Sequence, residues 1–153
     1  MYRAEEMVRG LFDHAGAGRT VDVLGVPLTL PPEARFASVE SVQRYADRVL
    51  GSGAVRVRAR AGSAGAHYES GGGTPVVAVP AGRDGAWALR ELVVLHELAH
   101  HVAASGGGPG SADGAAHGPS FTAAFVELAA RVMGPEAGLA LRIVYSESGV
   151  AVG

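Results

Sequence analysis

Cysteine is absent from this 153-residue chain. That removes disulfide staples and thiolate metal ligation together, so any bound metal must be held by His, Asp, Glu or water. Charge is sparse as well: 13 basic and 15 acidic residues leave a net charge of −2, and the isoelectric point is about 6.3. Neither nucleic acid nor an anionic membrane is the partner such totals favour. No apolar run approaches the ~20 residues that span a bilayer. The opening Met1-Tyr2-Arg3-Ala4-Glu5-Glu6 leads into no apolar stretch of the secretory type, so the chain is expected in the cytoplasm.

What is present is apolar and small. Hydrophobic residues make up 48% of the chain and charged ones 18%, the balance of a folded protein and not of a disordered one. The length suits a single domain over residues 1–153, burying roughly two-thirds of the surface exposed by the unfolded chain. The 23 glycines predict long loops.

Hydrophobic spacing divides the chain into helices and short strands. Met7, Leu11 and Ala15 space as the apolar stripe of a helix over 4–14. Val21, Val23, Val26, Leu28 and Leu30 alternate about Gly25 and predict a bent strand or hairpin, ended by Pro31-Pro32. Ser38 caps a helix over 39–50 with Val42, Tyr45, Ala46 and Val49 on its apolar face. In 55–61 valine and alanine alternate with Arg56, Arg58 and Arg60, a strand whose arginine face reads as solvated. Two further strands are expected at 66–69 and 74–80, joined through Gly71-Gly72-Gly73. Helices follow at 86–104, 119–133 and 135–146. The fold class is therefore α+β: a small, mostly antiparallel or mixed sheet packed on a central helix, with further helices around it.

The central helix carries the chemistry. Leu89, Leu92, Val93, Val94, Leu95, Leu98, Ala99, Val102 and Ala103 cover almost its whole circumference, which marks it as buried. Into it are set His96, Glu97, His100 and His101, and buried ionisable groups are costly unless they are paired or bind a metal. His96 and His100 are four apart, so both imidazoles leave one helix face and can share one tetrahedral ion. Glu97, about a quarter turn round, is placed to serve as general base to a water activated by the ion. This is the physical logic of H-E-x-x-H. With six His and ten Glu, chance would supply the pattern only about 0.015 times in such a chain. The competing reading is a pair of core histidines with an incidental glutamate.

A catalytic zinc usually has three protein ligands and an open position. Downstream candidates are Asp113, His117, Glu127 and Glu136. His117 is favoured because it stands just before Gly118-Pro119, at the start of the next helix, after a Gly/Ser-rich loop over 105–116 long enough to fold back. Glu127, from mid-helix, is the runner-up; Asp113 reads as a turn residue.

His96-Glu97-Leu98-Ala99-His100-His101 followed by His117-Gly118-Pro119-Ser120-Phe121 resembles the paired motifs of the SprT-like and WLM-like zincin metallopeptidases. It is similar also to a group of small actinobacterial predicted metallohydrolases, which share the lead-in Trp87 to Leu92. The resemblance implies a zincin-like fold with strands preceding the metal helix, zinc on His96, His100 and His117, Glu97 as general base, and a peptide or protein substrate. The cysteine-rich zinc ribbon of many SprT-like proteins has no counterpart here.

Three side chains are available as donors to a developing oxyanion, His101, Tyr68 and Tyr145, though each, with His67, reads first as structural. Zincins commonly align an extended peptide on a strand edge, and Thr74 to Val79 is the candidate, an ordinary inner strand being the equal alternative. The loop over 105–116 is either a lid or a plain connection. Besides a zinc peptidase, two other functions fit these residues: a non-catalytic zinc-containing module that binds a peptide, and a hydrolase of non-peptide amides or esters.

Overall fold

The computed structural model describes residues 1–15, 19–62, 65–80, 82–106 and 117–153. Among them are five α-helices and two small sheets, so the α+β class holds. The chain divides into two compact units, Met1–Glu33 with Gly106–Gly153, and Ala34–Ser105.

The first unit holds α1 (Tyr2–Ala15), β1 (Thr20–Val23), β2 (Val26–Thr29), α4 (Pro119–Val132) and α5 (Pro135–Glu147). Of the bent strand and the hairpin, β1 and β2 form the hairpin, pairing Thr20 with Thr29 through to Val23 with Val26. Its two-residue turn takes positive φ at both Leu24 (52°) and Gly25 (88°), the pattern whose twist matches the strands it joins. Asp22 Oδ1 accepts a hydrogen bond from the Gly25 N–H at 2.8 Å and closes the turn.

α1 buries Ala15 as expected but otherwise turns a different face inward. Ala4, Glu5, Val8, Phe12 and Ala15 point inward, while Met7 is 44% exposed. Both stripes have helical spacing, but the inward one carries Phe12, whose aromatic ring is the larger apolar payload. It also carries Glu5, which accepts a hydrogen bond from Tyr145 Oη at 3.1 Å. α4 and α5 are joined through Gly134, with proline near the start of each helix. They pack closely because Gly138 has no side chain: a Cβ there would stand 2.6 Å from the Ala130 Cβ.

The second unit holds α2 (Val39–Leu50), β3 (Arg56–Arg60), β4 (His67–Glu69), β5 (Val76–Pro80), a 3-10 turn (Arg83–Ala88) and α3 (Glu91–Ser105). Ser38 caps α2 reciprocally with Ser41, through Ser41 N–H to Ser38 Oγ at 3.2 Å and Ser38 N–H to Ser41 Oγ at 3.1 Å. The sheet is mixed, in the order β3-β5-β4, with β3 parallel and β4 antiparallel to β5. Of the two readings of Thr74 to Val79, edge or inner strand, the inner one holds, with β5 at the centre of the sheet. Its Val77, Ala78 and Val79 are fully buried, and a strand that apolar is stabilised most between two neighbours.

The helix expected over 86–104 is broken in two, a 3-10 turn and then α3. Between them Arg90 bridges to Arg35, and the Glu91 N–H bonds to Ala34 O at 2.9 Å. The Glu91 carboxylate accepts from the Ala34 N–H at 2.9 Å and from Tyr45 Oη at 2.6 Å. A buried acidic group in the first turn of α3 thus ties that helix to α2 and also complements the positive end of the helix dipole.

Candidate metal centre

α3 is buried on every side from Glu91 to Ala99, as its apolar circumference requires. His96 is 7% exposed and Glu97 6% exposed, so the two ionisable side chains of the motif lie inside the unit. His100 and His101 follow at half-burial, as the helix runs outward. The four-residue spacing brings the His96 and His100 rings to 5.1 Å between centroids at 74°. Each offers a ring nitrogen within 4.8 Å of the other's. Two nitrogens at ~2.0–2.1 Å on one tetrahedral ion stand about 3.3 Å apart, inside the 4.8 Å limit found here. Donor type and spacing both fit zinc.

Against this face of α3 lies the sheet. In β4 successive side chains alternate, and Tyr68 turns to the side opposite His67 and Glu69. The Tyr68 ring is parallel to that of His100, 6.2 Å away at 12°, and edge-on to that of His101. Its hydroxyl stands 3.3 Å from His101 Nδ1. Burial pushes the Tyr68 phenol above its ordinary pKa and the His101 imidazole below its own, which favours the neutral form of each.

His67 and Glu69 occupy the other face. Glu69 pairs with Arg58 and accepts from His67 Nε2 at 2.6 Å, while Arg60 donates to His67 Nδ1 at 2.9 Å and to Gly65 O at 2.7 Å. The arginine face of β3 is thus not simply solvated. Arg58 lies level with Ala78, and Ala78 with His67, across the central strand; so small a residue between them lets the outer strands' charges meet.

The two edges of this sheet differ. Along β3 the Val57 N–H donates to Gln43 Oε1 at 2.7 Å and Val55 O accepts from Gln43 Nε2 at 3.1 Å, so a side chain from α2 occupies that edge. On the far side of β4 no strand pairs among the described residues. The open edge beside α3 is β4, and not the 74–79 segment named as the candidate from the zincin resemblance.

His117 belongs to the first unit, at the turn entering α4. Its half-buried ring is held edge-on by Phe121 at 4.9 Å and Tyr2 at 5.2 Å. The start of α4 is itself pinned. Pro119 O accepts from the Gly153 N–H at 3.2 Å and from Thr122 Oγ1 at 2.9 Å, and Thr122 Oγ1 also reaches Ala151 O at 2.7 Å. Glu127 and Glu136 are both exposed, on α4 and α5. Asp113 and most of the 105–116 loop lie outside the described residues. Tyr145 is wholly buried with its hydroxyl on Glu5, a structural group as first read. The roles of Glu91 and Gln43 had no sequence signal, because each partner lies far along the chain.

No family model, curated protein or solved structure matches this chain.

Proposed function

We propose that this protein is a zinc-dependent hydrolase of zincin-like layout, acting on peptide bonds, with His96, His100 and His117 as ligands and Glu97 as general base. The observation that carries the reading is the interior of α3: a helix buried all round that nonetheless keeps His96 and Glu97 inside, with a second imidazole nitrogen within 4.8 Å of the first. Desolvating such groups is costly, and a shared cation offsets that cost. Zinc, when bound, supplies the Lewis acidity that brings the pKa of a coordinated water to about 7.

The rest is the work of the chain. His96 and His100 hold the cation from one helix face. Glu97 follows His96 on the same rigid turn, so its carboxylate accepts the proton of the attacking water and returns it to the leaving amine. An extended substrate adds to the open side of β4 by main-chain hydrogen bonding. His117 is proposed as third ligand because its imidazole matches the other two in donor type, whereas Glu127 faces solvent.

Purified protein is expected to bind about one zinc per chain, and Glu97→Ala is expected to keep the metal while hydrolysis falls by at least ~100-fold. Metal analysis and a broad peptide-library digest check both. Undiminished hydrolysis by Glu97→Ala would remove the mechanism.

A further inference from the structure

Hydrolysis through a tetrahedral intermediate needs a hydrogen-bond donor aimed at the developing oxyanion, in addition to the charge of the ion. We propose that the Tyr68 hydroxyl is this donor. The assignment rests on the metal-hydrolase reading above.

Three features of the second unit carry it. Tyr68 sits on β4, the strand with the open edge, at the one β4 position whose side chain turns toward α3. Its ring lies parallel to the imidazole of His100, 6.2 Å away, so the phenol is held beside a proposed ligand by stacking and not by its hydroxyl. The hydroxyl contacts His101 Nδ1 at 3.3 Å, long for a bond from O–H and therefore readily exchanged. A phenol oxygen both donates and accepts. It can take the His101 Nδ1 proton as acceptor and present its own proton outward.

Of the other two candidates, Tyr145 is committed elsewhere, its Oη fixed on the Glu5 carboxylate inside the first unit, while His101 presents Nδ1 to the Tyr68 hydroxyl and so orients it. Tyr68 is only half-buried, so a bound molecule can reach it. Since donor and oxyanion meet only when negative charge develops, the hydroxyl contributes to the transition state more than to substrate binding.

The test needs no knowledge of the substrate. Acetohydroxamate places anionic oxygen on a bound zinc, and its affinity is measured by calorimetry on zinc-loaded wild type and Tyr68→Phe, beside the zinc affinity and Tm of each. Tyr68→Phe keeps the ring and its stacking. It is expected to hold zinc within about twofold of wild type and to bind acetohydroxamate roughly ten- to a hundredfold more weakly, the ratio for losing one hydrogen bond to a charged group. Equal acetohydroxamate affinity overturns the donor role. So does a loss of zinc affinity in Tyr68→Phe, which would make the residue a support of His100. Wild type that takes up no zinc overturns the metal reading itself, and is told apart because it fails before any Tyr68 variant is compared.

Discussion

Leu24 shows how a single residue can stand against its local preference. It holds φ at 52°, where an L side chain with a Cβ costs roughly 1 kcal/mol or more, and where Asn or Gly is the ordinary occupant of the turn. It is 53% exposed, so little burial offsets the strain, although it lines an apolar cavity of about 270 Å³ with Met7, Leu11, Val23 and Val144. Leu24→Asn is expected to raise stability by about 0.5–1 kcal/mol, read as an upward shift in the urea midpoint at unchanged slope. An unchanged or lowered midpoint would mean that the cavity wall matters more than the turn. In the metal helix the same kind of local accounting points the other way. His96 and Glu97 are ionisable groups set among apolar neighbours, and the cation they are proposed to serve would offset part of the cost of that burial.

At the scale of elements, the three-stranded sheet divides its two faces by the pleat. One face packs its Val57, Val77 and Val79 inward and presents Tyr68 to α3. The other carries Arg58, Arg60, His67 and Glu69 as a connected polar group. Burial raises the Glu69 pKa, but hydrogen bonds from His67 and Arg58, with their charge, outweigh it and leave the carboxyl below its ordinary value of 4.5. A depressed folded pKa means that the group's stabilising effect is complete above the unfolded value and fades as pH falls through the folded one. Wild type is therefore expected to exceed Glu69→Gln in Tm near pH 6, with the gap closing as pH drops below about 4.5. Parallel thermal melts across that range check it. A gap that persists into acid would assign the difference to packing and not to charge. The reciprocal Ser38–Ser41 cap of α2 and the Glu91 carboxylate at the head of α3 act at this scale too. Both begin a helix, but the cap spans three residues and the Glu91 bonds reach Ala34 and Tyr45.

For the molecule as a whole, the proposed ligand set of His96, His100 and His117 couples metal binding to folding. A ligand that binds only the native state stabilises it by mass action, about 2.7 kcal/mol at a hundred times its Kd. Zinc is accordingly expected to raise Tm in wild type and in Glu127→Ala, and to lose that effect in His96→Ala, His100→Ala and His117→Ala. Thermal melts with and without zinc distinguish the cases. Loss in Glu127→Ala with retention in His117→Ala would exchange the third ligand.

What the amino-acid order determined by itself is local. Periodicity placed four of the five helices and the strands near their observed ends and missed only the break before Glu91 in α3, since backbone spacing and capping act over a few residues. The four-residue interval set His96 and His100 on one face of α3, because a helix repeats every 3.6 residues whatever surrounds it. Tertiary structure decided what depends on partners distant in sequence. Of two apolar stripes on α1, Val8 and Phe12 went inward and Met7 outward. Thr74 to Val79 became the middle of the sheet and β4 its open edge, as strand order is a matter of which neighbours arrive on each side. Tyr68, one of three equal candidates in the sequence, stands beside His100, while Tyr145 is fixed on Glu5, 140 residues away along the chain. Packing selects among side chains that spacing alone leaves equivalent, and it does so through contacts that no local pattern encodes.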